Sequence, residues 1–364
     1  MNLDAIDTPA LLLDSDAMAR NVARMAAAAR AAGVALRPHA KTHKSPAVAR
    51  RQIAAGAVGV CCQKVGEAEI MVEGGVSDVL VTNEIVGASK LVRLVGLAKF
   101  ATIRTVADNP DALDALAAAC VAAGVEIGVL VECDLGMGRC GVADPARAVA
   151  LAKRAVSAKG VRFDGLQAYH GKIQHVAGWA QRRAASDAAN ARLAEFLAAF
   201  AAAGLATPIV SGAGTGSYEF QTKAGYTEFQ CGTYVFMDKQ YRDVGDETGE
   251  RYARFEQALF VLATVMSVPS DDRVVLDAGL KSLSMDGGLP EAVDLPGWSF
   301  SFGGDEHGVL RRTEAGARLP KIGEKLRLVP GHGDTTINLH DEYRVLAGGV
   351  PAMVWPVAAR GKIR

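Results

Sequence analysis

Neither an excess of charge, nor a long apolar run, nor a paired set of cysteines marks this 364-residue sequence, and each lack excludes a class of protein. Its 40 Lys and Arg are balanced by 40 Asp and Glu, so no net charge draws it to nucleic acid or to an anionic membrane. Basic residues are not interleaved with aromatics either, and no nucleic-acid partner is expected. No apolar stretch reaches spanning length, which argues against a membrane protein. The first residues, "MNLDAIDTPALLLD", lack the cationic start and long apolar core of a signal peptide. The six cysteines (Cys61, Cys62, Cys120, Cys133, Cys140, Cys231) lie in apolar or Gly-flanked segments without zinc-type pairing. They read as small core residues in a reducing compartment. The expectation is a soluble cytoplasmic globular protein, long enough for two domains or one large barrel with an addition.

What the chain does have, up to about residue 240, is a regular alternation. Short apolar, β-branched runs fall at 34–38, 57–61, 78–82, 102–106, 127–132, 163–168, 207–211 and 228–233, with Ala-rich segments of helical spacing between them. Ser45-Pro46, Asn109-Pro110 and Asp144-Pro145 each place a capping side chain before a proline suited to the first helical turn. Gly33, Gly74, Gly124 and Gly204 stand where helices should stop. Eight strand–helix units in a row predict an α/β fold, a (β/α)8 barrel, with a doubly wound open sheet as runner-up. After about residue 255, "LFVLATVMSV", "RVVLDAGL", "KLRLVPGH", "EYRVLAGG" and "PAMVWPVAA" are strand-like between Gly, Pro and Asp turns. They predict a separate β domain, to which the early run "TPALLLD" at 8–14 adds a strand. The division expected is a barrel over residues 14–250 and a strand-rich domain made of 1–13 plus 251–364.

Functional residues of such barrels lie where strands end, on the C-terminal face. The stretch "ALRPHAKTHKSP", at 35–46, ends the first predicted strand there. Alternate strand residues share a face, so Leu36, Pro38 and Ala40 face the helices while Arg37, His39 and Lys41 face the lumen. A solvated basic loop is the plain alternative; the location favours an anion-binding site around one lysine. An ordinary lysine, pKa ~10.4, needs roughly 4 kcal/mol to lose its proton near neutrality. Nearby Arg37 and partial burial should lower that cost for Lys41. His43 and Lys44, beyond the strand end, read as ordinary loop. The seventh strand ends in "SGAGTGS", around Thr215, and the eighth in "CGTYVFMDKQY", with Gly232 and Thr233. Loops after these two strands hold phosphate in such barrels, where glycine permits close backbone approach and hydroxyls add donors. No G-x-G-x-x-G follows the first strand and no P-loop lysine motif occurs, so a small phosphorylated ligand is favoured over a nucleotide.

Other strand ends bring Gln63, Arg139, Tyr169, His170 and His175 to the same face. Each has a structural alternative: Gln63 as a cap of the next helix, Arg139 as a partner of Asp134, Tyr169 as a rim aromatic. The plain reading is preferred for Gln63 and His170. The segment "LVPGHGD" offers His332 and Asp334 two apart, so that on a strand both project from one face. One imidazole and one carboxylate suit a six-coordinate divalent ion that keeps several waters, although H-x-D is more often a polar turn. All seven histidines lie in motif-like stretches and none in a plain helix, which tilts the reading toward function.

The motifs "LRPHAKTHK", "GVCCQKVGEAE", "VLVTNE", "GRCGV", "LQAYHG", "SGAGTGS", "CGTYVFMD", "DEHG", "LRLVPGHGD" and "WPVAARG" follow in this order over nearly the whole chain. Together they resemble those of the D-threonine aldolases and their relatives, the 3-hydroxy-D-aspartate aldolases and D-serine dehydratase-like enzymes. The resemblance implies pyridoxal 5'-phosphate (PLP) in an alanine-racemase-like barrel, a C-terminal β domain, and a homodimer with the active site at the subunit contact. It makes Lys41 the Schiff-base lysine, and Gln63, Arg139, Tyr169, Thr215, Gly232, Thr233 and Tyr241 cofactor contacts. It makes His332 and Asp334 ligands of a divalent metal, Mn2+ or Mg2+, and His175 the histidine near the substrate hydroxyl. Dehydratase relatives look like H-x-C, with zinc, where this chain has Asp334 as the aldolases do.

The resemblance further implies cleavage of a small β-hydroxy-D-amino acid, of the D-threonine, D-allo-threonine or D-phenylserine type, to glycine and an aldehyde. The metal would make the β-hydroxyl more acidic, and His175, with an ordinary pKa near working pH, would take its proton. Charge left at Cα would delocalise into the cofactor. Arg139 beside the pyridine nitrogen would keep that nitrogen unprotonated and weaken the electron sink. Neighbouring expectations at the same site are cleavage of 3-hydroxy-D-aspartate, or dehydration of D-serine or D-threo-3-hydroxyaspartate. A non-enzymatic PLP-binding carrier would need the barrel but neither "GHGD" nor the strand-rich C-terminal segment.

Overall fold

A computed structural model describes residues 3–364 of the chain. Its first strand, β1 (Ala10–Asp14), precedes a run of eight parallel ones. These are β2 (Ala35–Leu36), β3 (Val60–Cys62), β4 (Asp78–Glu84), β5 (Thr102–Ala107), β6 (Ile127–Glu132), β7 (Val161–Ala168), β8 (Ile209–Gly212) and β9 (Glu228–Phe229). Neighbours from β3 to β9 pair in parallel and in sequence order, and β9 pairs in parallel with β2. The first segment then meets the second. Val58 N–H donates to Leu36 O at 2.9 Å, Cys61 N–H to Pro38 O at 2.8 Å, and Ala40 N–H to Cys61 O at 2.7 Å. The alternation in the sequence is therefore a barrel, and the open-sheet alternative falls.

Local signals set several helix ends. Asn109 Oδ1 accepts from the N–H of Asp111 and Ala112, and Asp144 Oδ1 from Ala146, each just before or across a first-turn proline. Gly33 and Gly124 close their helices at φ 69° and 67°, which glycine adopts without a side-chain clash. Ser45 departs from expectation. Lys44 turns the chain through φ 51° just before it, and the Ser45 hydroxyl is buried without a partner instead of capping the helix Pro46–Ala54.

Inward-facing residues stack in layers. Arg37, Asp78, Arg104, Asp164 and Glu228 form a linked charge layer: Arg37 reaches Asp78 at 2.5 Å and Glu228 at 2.9 Å, and Arg104 reaches Asp78 and Asp164 at 2.8 Å each. Cys61, Leu80, Val106 and Leu130 make an apolar layer above it. His39, Thr82, Gln167 and Gln230 make a polar layer that floors the barrel mouth. On β4 the period of two carries the lumen face from Asp78 in the charged layer, through Leu80 in the apolar one, to Thr82 at the site.

The remaining strands are β10 (Leu259–Ser270), β11 (Arg273–Leu276), β12 (Glu291–Ala292), β13 (Trp298–Phe302), β14 (Gly308–Arg312), β15 (Lys325–Val329), β16 (Glu342–Ala347) and β17 (Val350–Pro356). They join β1 in one mostly antiparallel sheet, with β1 antiparallel to β10 and parallel to β16. The early run thus adds its strand to the C-terminal sheet. Leu11 and Leu13 enter the main core, while Leu12 packs on the other face with Phe260, Leu262, Val329 and Leu346. Each such leucine contributes about 1.5–3 kcal/mol by burial.

Candidate active site

A cavity of about 720 Å³, partly open to solvent, lies at the barrel mouth, where the segment after β15 brings His332 and Asp334 to it. It is lined by Lys41, Gln63, Arg139, Tyr169, His175, Thr215, Gly232, Thr233, Tyr241, His332 and Asp334, so the structure brings all the expected site residues together. Lys41, Gln63 and Gly232 each stand two residues beyond a lumen residue of the layers below, which is why they face inward.

Lys41 Nζ lies 3.7 Å from Asp334 Oδ2. Burial alone would lower the lysine pKa, but Asp334, then Tyr169 and Glu67, outweigh it and leave the amine above its ordinary value. The expectation that Arg37 would help deprotonate Lys41 is corrected here. Arg37 belongs to the charge layer beneath the apolar one, neutralised by Asp78 and Glu228. His39 is likewise no cation: burial holds its pKa well below the ordinary range, and its Nε2 meets Thr82 Oγ1 at 3.0 Å. Beyond the strand, His43 and Lys44 are not a solvated loop. Both are buried, and Lys44 Nζ donates to Glu67 Oε1 at 2.5 Å. The Tyr343 hydroxyl donates to His43 O at 2.6 Å, and Ala359 N–H to Lys44 O at 3.0 Å, binding the loop to the C-terminal segment.

The two glycine-bearing loops meet at one side of the cavity. Thr215 Oγ1 accepts from Tyr234 N–H at 3.0 Å, which ties one loop to the other. Among the described residues, the N–H groups of Thr215, Gly232 and Thr233 have no acceptor. Three unpaired amides beside a hydroxyl suit the oxygens of a phosphate, so these loops would hold the phosphate of PLP, and Lys41 would be the amine that bears the cofactor. The glycines Gly214 and Gly216 have a different reason from the one expected. A Cβ on either would lie 2.4 Å from Gln174, whose side chain accepts from Gly216 N–H and donates to Ser217 Oγ.

His332 and Asp334 do not lie on a strand. His332 is extended at the entrance to the short helix Gly333–Ile337, and Asp334 is in its first turn, yet both reach the cavity. His332 Nδ1 is 2.6 Å from Asp286 Oδ2, which leaves Nε2 as the ring nitrogen available to a ligand. Asp334 Oδ1 is buried and has no hydrogen-bond partner. Burial works against a charged His332, but Asp334, Asp286 and Asp238 outweigh it and raise its pKa. An orphaned carboxylate oxygen, an oriented imidazole and a surplus of negative charge fit a divalent cation.

The ring of His175 packs on the edge of Tyr241 with centroids 4.6 Å apart. Burial first, and then the neighbouring His332, push its pKa down to about 4, so it is neutral and able to accept a proton at physiological pH. Arg139 does not pair with Asp134, which accepts from the N–H of Gly136 and Gly138 instead. Its Nη2 lies 4.0 Å from Glu132, whose pKa burial and the adjacent Glu84 push up to about 9. Gln63 lines the cavity, where its side chain bonds Thr82, and does not cap the next helix, whose N-cap is Lys64. His170 stays outside the cavity at the entrance to the turn Gly171–His175.

Two residues that sequence reasoning did not single out support the site. Asp286 lies in the loop "SMDGGLP", whose composition announces only a turn. Asp238 falls inside the motif "CGTYVFMD", and that context was its one visible signal. Its carboxylate accepts from Gly333 N–H at 2.8 Å and from Tyr241 N–H at 2.9 Å, which holds the His332–Asp334 turn against the barrel loop. Burial pushes its pKa up to about 6.

Comparison with known proteins agrees with this architecture. The family model "Alanine racemase, N-terminal domain" matches residues 13–240, and the model "Putative serine dehydratase domain" matches 258–346. The chain is 46% identical to a D-threonine aldolase of Arthrobacter sp over 360 residues, covering 99% of this chain and 94% of that protein. It is 44% identical over 367 residues to a 3-hydroxy-D-aspartate aldolase of Paracoccus denitrificans (strain Pd 1222), covering 100% and 94%. The crystal structure of a D-threonine aldolase from Filomicrobium marinum superposes with a TM-score of 0.96 at 45% identity, covering 100% of this chain and 98% of that one. The chain belongs to the D-threonine aldolase family of carbon–carbon lyases, whose barrel is that of the alanine racemase N-terminal domain.

Proposed function

We propose that the protein cleaves β-hydroxy-D-amino acids to glycine and an aldehyde, with PLP held by Lys41 and a divalent ion held by His332 and Asp334. The observation that carries this reading is the 3.7 Å between Lys41 Nζ and Asp334 Oδ2. The amine that would bear the cofactor and the carboxylate that would bear the metal face one small volume, where a substrate's Cα and β-hydroxyl can be engaged together. Bound there, PLP supplies an electron sink for charge at Cα, and the ion supplies acidity to the hydroxyl.

The chain's own residues do the rest. His175 accepts the hydroxyl proton at a ring nitrogen that its surroundings keep unprotonated. Asp286 fixes the His332 ring. Thr215, Gly232 and Thr233 present amide N–H groups to a phosphate, and Arg139 offers a guanidinium to the cavity. Asp334, where a cysteine would suit zinc, supports cleavage over dehydration, because a hard carboxylate favours Mn2+ or Mg2+. The 3-hydroxy-D-aspartate aldolase at 44% identity supports that substrate as the second reading. A product assay over D- and L-β-hydroxy amino acids, with metal varied, tests the proposal. Glycine and aldehyde from D-substrates only are expected, and 2-oxo acid with ammonia would overturn it.

A further inference from the structure

Arg182, on the helix Trp179–Ala202, is fully buried and lies outside the cavity lining. Its Nε donates to Gly216 O at 2.9 Å, Nη1 to Val176 O at 3.0 Å and to Val244 O at 2.9 Å, and Nη2 to Gly245 O at 2.7 Å. All four acceptors are backbone carbonyls. The rings of Trp179, Phe220 and Tyr252 surround the charge, with centroids 5.5, 6.0 and 5.7 Å from Cζ. A charge buried among neutral groups is costly unless its donors are engaged, and the planar fork of arginine reaches carbonyls on three separate segments at once. Those segments belong to the site. Gly216 follows Thr215 in the loop after β8, Val176 follows His175, and Val244 and Gly245 follow the helix Lys239–Arg242, which carries Tyr241. Gln174, also buried, closes the arrangement from the other side. Its Oε1 accepts from Gly216 N–H at 3.0 Å and its Nε2 donates to Ser217 Oγ at 2.8 Å. Gln174 and Arg182 thus hold the N–H and the carbonyl of Gly216. They also bracket His175, one preceding it in the chain and the other bonded to the carbonyl of the residue after it.

Resting on the aldolase reading above, we propose that Arg182 and Gln174 are positioning residues that join the 214–217 loop to the His175 turn as one unit, so that the seat of the cofactor's phosphate and the base are set together. Neither reaches the reacting groups. Each acts through Gly216 on the amide of Thr215, and through the backbone on either side of His175 on the imidazole. Other bonds of the loop, from Tyr234 N–H to Thr215 Oγ1 and from Ser217 Oγ to Gln221 Oε1, run to later elements. Those of Gln174 and Arg182 run back to the turn after β7. The backbones of loop and turn approach as closely as glycine allows, since a Cβ on Gly216 would run into Gln174 O.

The test compares the full-length wild type with Arg182→Lys and Gln174→Met, each checked for folding by circular dichroism and urea unfolding. After cofactor is stripped, affinities for PLP and for pyridoxal, which has no phosphate, are read from the visible absorbance. In each variant PLP affinity should fall about tenfold or more, as when hydrogen bonds to a charged group are lost, while pyridoxal affinity holds within about twofold. A residue that only supports the fold would move both alike. At saturating PLP and Mn2+, kcat for D-phenylserine or D-threonine should fall about tenfold or more, with KM within about threefold, because His175 is displaced from the hydroxyl. If Arg182→Lys yields no folded protein, Gln174→Met carries the comparison. An unchanged ratio of PLP to pyridoxal affinity in a folded variant overturns the proposal. A fallen ratio with kcat held overturns the link to His175 and leaves the two residues supporting the phosphate loop alone. If the wild type cleaves no β-hydroxy-D-amino acid while the ratio falls in the variants, the aldolase reading fails and takes the base with it, and the loop assignment stands.

Discussion

His332 Nδ1 and Asp286 Oδ2 stand 2.6 Å apart, a contact in which the ring N–H donates and the carboxylate accepts. It fixes which nitrogen of His332 faces the cavity. A carboxylate behind a metal-binding imidazole sets its tautomer and raises its basicity, and loss of such a partner costs about 10- to 100-fold in metal affinity. Asp286→Ala should therefore weaken Mn2+ binding by about that factor while PLP content stays at the wild-type level. Titration of the apo-metal enzyme, with cofactor absorbance read in parallel, checks both. Chelation of the wild type should abolish cleavage and added Mn2+ restore it; full turnover in metal-free protein would contradict a ligand role for His332 and Asp334.

Lys41→Ala tests the other half of the site. With no amine at the end of the first barrel strand, purified protein should lose the visible absorbance of bound cofactor and all measurable turnover. Lys41 side-chain exposure is 42%, so the truncation opens no core cavity and the fold should survive, as circular dichroism would show. An unchanged visible spectrum would place the cofactor's anchor elsewhere, and Lys44, already bonded to Glu67, would be the first alternative to examine.

These two tests also show what kind of information the sequence carries. The inward direction of Lys41 follows from a period of two along one strand, and the cap at Asn109-Pro110 follows from four adjacent residues; both are local, and both were legible. The partners of Arg37 were not, because Asp78 lies 41 residues away and pairing across a barrel leaves no periodic mark. Asp286 is 46 residues before His332 in a loop without regular structure, so nothing in its neighbours announces its role. His43 and Lys44 look like a polar loop in sequence, and only the C-terminal segment folding over them makes them buried. The H-x-D spacing does bring two groups to one site, but from a helix entrance in place of the strand it suggests, because "GHGD" turns into the helix Gly333–Ile337.

His43 makes the protein acid-sensitive. It is fully buried, its Nδ1 accepts from Ser45 N–H at 3.1 Å, and burial first of all pushes its pKa down to about 4. In the unfolded chain the same ring titrates near 6.5, so between these values the unfolded state binds the extra proton. Stability from this residue is complete above pH ~6.5 and is lost as pH falls toward 4, by up to about 3 kcal/mol. Urea midpoints of the wild type should decline over that interval, and His43→Asn, whatever its absolute stability, should show a shallower decline. Parallel slopes in the two proteins would assign the acid sensitivity to other groups.

The pair Lys44–Glu67 should behave as a buried ion pair whose partners cannot be removed singly. Nζ and Oε1 are 2.5 Å apart, with side-chain exposures of 9% and 4%. The other carboxylate oxygen of Glu67 accepts from the N–H of Gln63 at 2.8 Å and of Lys64 at 3.2 Å, so one residue neutralises the lysine and caps the helix Val65–Glu73. Lys44→Met leaves a buried carboxylate without its cation and should cost about 3–5 kcal/mol in urea unfolding. Glu67→Gln keeps an acceptor for the helix entrance yet strands the ammonium, and should cost a similar amount. The double variant, Lys44→Met with Glu67→Gln, buries no net charge and should recover most of the loss, because a well-packed neutral pair often matches a buried ion pair. Strictly additive losses would mean that the two side chains act independently, and that the contact does not hold Gln63 at the cavity wall.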